Sequence, residues 1–183
     1  MTAPVTAPLR LPASLRADCS ACVALCCVIP PFDAAQGFGF DKAAETPCRH
    51  LCADHRCGIH DGLAVRGFEG CVAFDCLGAG QRLTALAVAR FGSADWRARP
   101  EVARWLFQAY PRMRQAQEWL ARLTLAAEVS GLGGLQALAD ELAADAARWP
   151  DWRAAEQEAW QARVQAALAP LAENRASSNR CDP

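Results

Sequence analysis

Nine of the chain's ten cysteines fall between Cys19 and Cys76, and four of them sit in the nine-residue run CSACVALCC at residues 19 to 27. Nothing else in the sequence constrains the fold as much. A buried cysteine packs as a small hydrophobe, a role alanine fills without the risk of oxidation, so packing does not account for the crowding. The same window holds all three histidines (His50, His55 and His60) and is punctuated by Pro30, Pro31, Gly37, Gly39, Pro47, Gly58, Gly62, Gly67 and Gly70. A segment of this size and looseness rarely builds a sufficient hydrophobic core, so it needs a staple.

From Gln81 onward cysteine disappears until Cys181, and Ala, Leu, Arg and Trp take over. Val102, Leu106, Ala109, Met113, Ala116, Leu120, Leu123 and Ala127 recur at spacings of three and four, which predicts one face of a helix. Pro111 lies inside that stripe and is expected to kink or split it. Gly131-Leu132-Gly133-Gly134 predicts a break. Leu135, Leu138, Leu142, Ala146 and Trp149 make a second stripe ending at Pro150. A third helix is expected from an N-cap at Asp151, burying Trp152, Ala155, Ala159 and Leu168 on its way to Pro170. A shorter helix is expected over residues 81–91. The predicted fold is mostly α: a cysteine-rich, loop-rich metal-binding module followed by a helical, bundle-like C-terminal half. The expected divisions are a flexible leader over 1–16, the module over 17–80, the helical region over 81–173 and a disordered tail over 174–183 that carries Cys181.

Composition narrows the function classes. A formal net charge of −1 argues against a general nucleic-acid binder. No apolar run approaches the roughly 20 residues of a membrane span. The N-terminus, broken by Pro4, Pro8 and Pro12, lacks the apolar stretch of a signal peptide, which places the expected location in the cytoplasm, where thiols stay reduced. Lys42 is the single lysine, leaving little choice for a Schiff base, and no G-x-S-x-G or H-E-x-x-H motif is present. Gly78-Ala79-Gly80 lacks the lysine of a phosphate loop and reads as a turn. Arg112, Arg114, Glu118 and Arg122 read as solvated surface.

The cysteine spacing is C-x2-C-x3-C-C, then Cys48, Cys52, Cys57 with His60 three residues on, and Cys71-x4-Cys76. If residues 15–28 are helical, Cys19, Cys22 and Cys26 lie within roughly 60° of arc, three soft ligands on one face. Cys27 diverges from Cys26 by about 100°. That divergence favours two centres, with Cys26 joining Cys19 and Cys22, and Cys27 joining Cys48 and Cys57. A thiolate triad of this kind suits a metal or an iron–sulfur cluster better than disulfides. Two mononuclear sites, or one cluster with spare thiols, both fit the arithmetic. His60 is a candidate for ligation or for a supporting hydrogen bond, and Cys52 for ligation, for support or for an inert place in the core; His50 and His55 read as solvated loop residues, and Cys181 as a thiol outside the site.

The segments DCSACVALCC, TPCRHL, RCGIH, GFEGC and FDCLGAGQ resemble the CxxCxxCC family, also called YkgJ-like, described as zinc- or iron-chelating. The most similar version precedes a pentapeptide-repeat domain in bacterial proteins and shares the D-C-x-G-A-G-Q ending, here Asp75 to Gln81. It also shares Asp95-Trp96-Arg97 and the segment Pro111 to Gln115. The likeness covers about residues 17–120 and implies that Cys19, Cys22, Cys26, Cys27, Cys48, Cys57, Cys71 and Cys76 bind metal. Cys52 and His55 match no fixed ligand of the pattern. No five-residue repeat follows Gly131, so the repeat domain is not carried over. A flagellin lysine methylase with a similar motif is thought to hold an iron–sulfur cluster.

The expectation is therefore a metal-binding protein without an established reaction, holding zinc or iron, with an iron–sulfur or redox protein as one alternative. In the other, the helical half is an interaction module that binds a protein partner and metal is only a staple.

Overall fold

In the computed structural model, residues 11–178 are described. The backbone is mostly helical, and among these residues it forms no strand, only isolated bridges between Phe32 and Lys42 and between Leu51 and Cys57. The helices are α1 (Leu25–Val28), α2 (Glu69–Ala73), α3 (Ala79–Phe91), α4 (Pro100–Ser130), α5 (Gly133–Ala144) and α6 (Ala154–Ser178). Short 3-10 turns at Ala13–Leu15, Cys19–Ala21, Ala34–Gln36, His60–Gly62 and Ala64–Arg66 carry most of the remaining N-terminal structure. No helix among the described residues is long and apolar enough to cross a membrane.

α4 is the axis of the fold, with α3, α5 and α6 all packed against it. It starts on Pro100, whose missing N–H costs nothing in a first turn, and ends at Gly131, where a φ of 67° lets the Gly131 N–H reach back to Ala127. All eight residues of the predicted stripe are buried. Pro111 does not split it: the helix runs unbroken, with the proline on its exposed side, where water can take up the carbonyl the ring leaves free.

The second stripe divides. α5 stops at Ala144, and Ala146 and Trp149 reach the core from the following turns. α6 begins later than expected. Glu156 accepts the backbone N–H of Arg153 at 2.9 Å, half of a capping box, while Asp151 is taken by Arg90 and by the indole of Trp105. The expected face of α6 is corrected as well. Ala155 and Ala159 are exposed; Val164 is buried, and Trp160, Ala167 and Leu171 join the expected Leu168 in packing against the core. Trp152 anchors the corner instead, close to Trp119, Trp149 and Trp160 at ring separations of 6.0 to 6.4 Å, its indole donating to Asp145 at 2.8 Å. α6 continues to Ser178, into the segment expected to be a tail, and Cys181 lies outside the described residues.

The leader boundary also moves. Residues 1–10 lie outside the described part, but Leu15 is fully buried, in one hydrophobic cluster with Leu25, Val28, Ile29, Leu83 and Leu106. Both compositional halves thus share a core, and α1 packs on α4. Apart from Leu51, which packs against that core, residues 30–75 stand outside it, around a smaller aromatic group in which Phe32, Phe38, Phe40, His50 and Phe68 stack or meet edge to face. Gly39 is required there: its φ is 68° and a Cβ would lie 2.6 Å from the Phe68 ring.

Candidate metal centre

The run CSACVALCC does not form the continuous helix expected of residues 15–28. Asp18 caps a 3-10 turn by accepting the Ser20 N–H at 2.8 Å, Cys22 ends that turn in an extended conformation, and Ala24 adopts a left-handed φ of 62° before α1 begins. Cys19 and Cys22 therefore sit on one turn, with Cys26 and Cys27 on the next. Their sulfurs still meet the same space. Cys19, Cys22, Cys26, Cys27, Cys48, Cys57 and Cys71 all line one cavity of about 400 Å³, together with His50, His55, His60 and several phenylalanines. Cys76 belongs to the same neighbourhood from below: a Cβ at Gly80 would lie 2.6 Å from the Cys22 sulfur and 4.0 Å from that of Cys76.

The loops bring the remaining thiols in by ordinary backbone bonds. Cys48 donates its N–H to Cys27 O at 2.9 Å, and the His50 N–H points at the Cys48 sulfur at 3.5 Å. Cys57 pairs with Leu51 in an isolated bridge, and Cys71 rides on α2. Cys52 is exposed, with its sulfur beside Gly58 and away from the cavity wall. His60 is exposed at the rim, 3.6 Å from Asp61. The reading of His50 and His55 as solvated needs correction. His50 packs against Phe40 and Phe68, and His55 lies on Trp96 with a buried Nδ1 that has no partner.

Burial sets the electrostatics of these thiols. Cys22 and Cys71 are each pushed up to about 11, chiefly by desolvation. Cys19 is raised by burial and then by its neighbours Cys26 and Cys76, and Cys48 by burial and then by Cys57. Cys71 feels Cys48, Cys26 and Cys57. The proximities outline an inner group of Cys19, Cys22, Cys26 and Cys76 and an outer group of Cys27, Cys48, Cys57 and Cys71, with Cys26 between them. The Cys26 and Cys27 sulfurs are 4.0 Å apart, which corrects the geometric argument from helix divergence. The 100° separates Cα–Cβ directions, and side-chain rotation closes much of that gap.

The donor set fits zinc or iron in kind and number. All nine described cysteines are free thiols, and thiolate is the soft ligand both metals take. The spacing is looser than a bound ion would impose. Sulfurs sharing one zinc lie about 3.8 Å apart, given Zn–S of about 2.3 Å, and no three His, Cys, Asp or Glu side chains among the described residues stand close enough to hold one ion. Binding would have to draw the loops inward.

Several residues that support the sulfurs escape any spacing argument. Lys42, only 7% exposed, donates to the carbonyls of Val28 (3.0 Å), Pro30 (2.6 Å) and Ala43 (3.1 Å). Burial lowers its pKa, while nearby Cys48 and Cys27 oppose that shift, so the single lysine is a buried cation beside the outer group. Gln81 accepts the Asp18 N–H at 2.7 Å and donates to Arg16 O at 2.8 Å. The Trp96 indole donates to Val23 O at 2.8 Å, and Arg97 reaches the carbonyls of Cys52 and Ala53. The segments G-A-G-Q and D-W-R are thus the clamps between the cysteine loops and the helices. Arg114 is exposed, as expected, and its guanidinium lies over the Phe74 ring at 5.3 Å.

The chain is 41% identical over 120 residues to the "Uncharacterized protein YybG" of Bacillus subtilis (strain 168), a match covering 66% of this chain and 42% of that protein. The chain thus spans under half the length of this curated relative. No family model matches, and no solved structure matches.

Proposed function

We propose that this protein binds zinc or iron through the eight thiols Cys19, Cys22, Cys26, Cys27, Cys48, Cys57, Cys71 and Cys76, as its resemblance to the CxxCxxCC family implies. The observation that supports this reading is the convergence of seven of these eight free thiols on one cavity, from four separate segments of chain. Neither packing nor disulfide bonding explains it. Free thiols in this number fit a reducing compartment, consistent with a cytoplasmic protein. No reaction is assigned: the reading is of a metal-binding protein whose loops are held by the ion.

An iron–sulfur cluster is the second reading, favoured by one observation. A cavity of about 400 Å³ walled by Phe32, Phe38, Phe68 and Phe74 is far roomier than a single ion needs. Anaerobic purification with elemental analysis separates the two. A colourless protein containing zinc supports mononuclear sites, and a brown one absorbing at about 400 nm supports a cluster. Cys22→Ser and Cys57→Ser should each lower bound metal while Cys52→Ser leaves it unchanged. Equal losses from all three would refute the assignment of the site.

A further inference from the structure

Tyr110 is the chain's single tyrosine and lies on α4, which packs against the helix that carries Cys26. It is 2% exposed, and its hydroxyl has no hydrogen-bond partner. Native proteins seldom leave a buried hydroxyl in that condition, and each case calls for an explanation. Its surroundings supply one. Cys22, Cys26 and Cys76, three of the four inner thiols, are packed against the same buried cluster that holds Tyr110. A phenol carries its proton at neutral pH, so the hydroxyl can act as a donor. A neutral thiol is a weak acceptor, whereas a thiolate is a strong one, and a hydrogen bond to an ionised acceptor is roughly twice as strong as a neutral one.

We propose that Tyr110 is a positioning residue for the inner sulfur group: when those sulfurs are metal-bound thiolates, its hydroxyl donates a hydrogen bond to one of them. The inference rests on the metal-binding reading above and goes further, because it makes the long helix of the C-terminal half sensitive to metal in the N-terminal loops. Metal loading pairs the Tyr110 hydroxyl that α4 buries, and metal removal leaves it unpaired.

The test is Tyr110→Phe in the full chain, under reductant, with zinc and cobalt(II) as probes. Without metal, the variant should match or exceed wild type in its urea midpoint, since an unpartnered hydroxyl has been removed. With metal, zinc affinity measured against a competing chelator should fall by roughly tenfold or more, and the cobalt–thiolate charge-transfer band should shift. Met113→Leu, a volume-conserving change at a fully buried position one turn along α4, should leave both readouts alone. Unchanged affinity and spectrum in Tyr110→Phe would overturn the proposal, as would an equal loss of stability with and without metal. An equal affinity loss in Met113→Leu would assign the effect to helix packing and overturn it too. A wild-type chain that takes up neither probe overturns the metal-binding reading itself, and this inference with it.

Discussion

From Ala79 onward the helices close their own backbone hydrogen bonds and bury a continuous set of Leu, Ala and Trp side chains, with Trp149 and Trp152 almost wholly enclosed. Residues 30–76 have little of either. They run through 3-10 turns, the single short helix α2 and two isolated bridges, and their packing is an aromatic group beside a thiol-lined cavity. The comparison teaches that the boundary of stabilisation is not the boundary of composition. Leu15, Leu25 and Val28 belong to the helical core although they lie inside or ahead of the cysteine-rich run. These residues thus anchor one side of the site to a rigid scaffold, while Cys48 and Cys57 approach on loops, and Cys71 on the short helix α2, with little else to hold them.

The largest expected effect breaks the two regions apart. Metal binding to a small module can supply about 10 kcal/mol or more of apparent folding free energy. Stripping metal with a strong chelator should therefore expose residues 30–74 to protease while the chain up to Val28 and the helices from Ala79 stay protected. Mapping the cleavage sites by mass spectrometry checks this. Undiminished resistance of the loops after verified metal loss would mean that the aromatic group suffices.

Trp149→Ala acts on the other region. Truncating this fully buried indole, which also donates to Leu142 O at 3.1 Å, should cost about 3–5 kcal/mol. Thermal unfolding should show the loss with and without metal, and metal stoichiometry in the folded fraction should be unchanged. A loss seen only in the metal-loaded protein would show that the two regions are coupled more tightly than their packing suggests.

Gly80→Ala tests the seam between them. In a helix alanine gains about 1 kcal/mol over glycine, but its Cβ would meet the Cys22 sulfur at 2.6 Å. Metal uptake should fall although no thiol has been removed, and metal-free stability should change little. Full metal content would show that the Cys22 side chain yields freely.

The smallest effect is a pH dependence in the metal-free protein. Cys22 and Cys71, pushed up to about 11, hold their protons in the folded state where the unfolded chain gives them up from about pH 8.5. The unfolded state then binds fewer protons, so stability should fall as pH rises from about 8.5 to 11, read as a drifting urea midpoint under chelator and reductant. The metal-loaded protein should run the other way at low pH, where protons compete for the thiolates. A flat midpoint across the alkaline range would place these thiols in water.

Much of the helical half was legible because its information is local. The eight-residue stripe of α4 is wholly buried, and the break at Gly131 falls where the glycines put it. Where the local signal was thin, the reading failed. Ala155 and Ala159 carry too little apolar surface to fix a face, so α6 turned on Val164 and Trp160 instead. The continuous helix through Cys19 and Cys26 failed for another reason. Nothing about an alanine announces the left-handed turn that residue 24 makes when Val23 is held between Thr84 and Trp96.

The order of residues carried the inventory: nine cysteines in one stretch, a helical remainder, and the places where glycine ends a helix. The folded arrangement decided which sulfurs neighbour one another, that Leu15 is core, that the single lysine is buried beside Cys27 and Cys48, and that the Tyr110 hydroxyl is buried without a partner in the cluster against which Cys22, Cys26 and Cys76 pack. The physical reason is range. Helix periodicity and capping are set by neighbours within a turn or two. Gln81 to Asp18, Trp96 to Val23 and Arg97 to Cys52 are bonds across 45 to 73 residues, and such bonds leave no periodic trace in the chain that makes them.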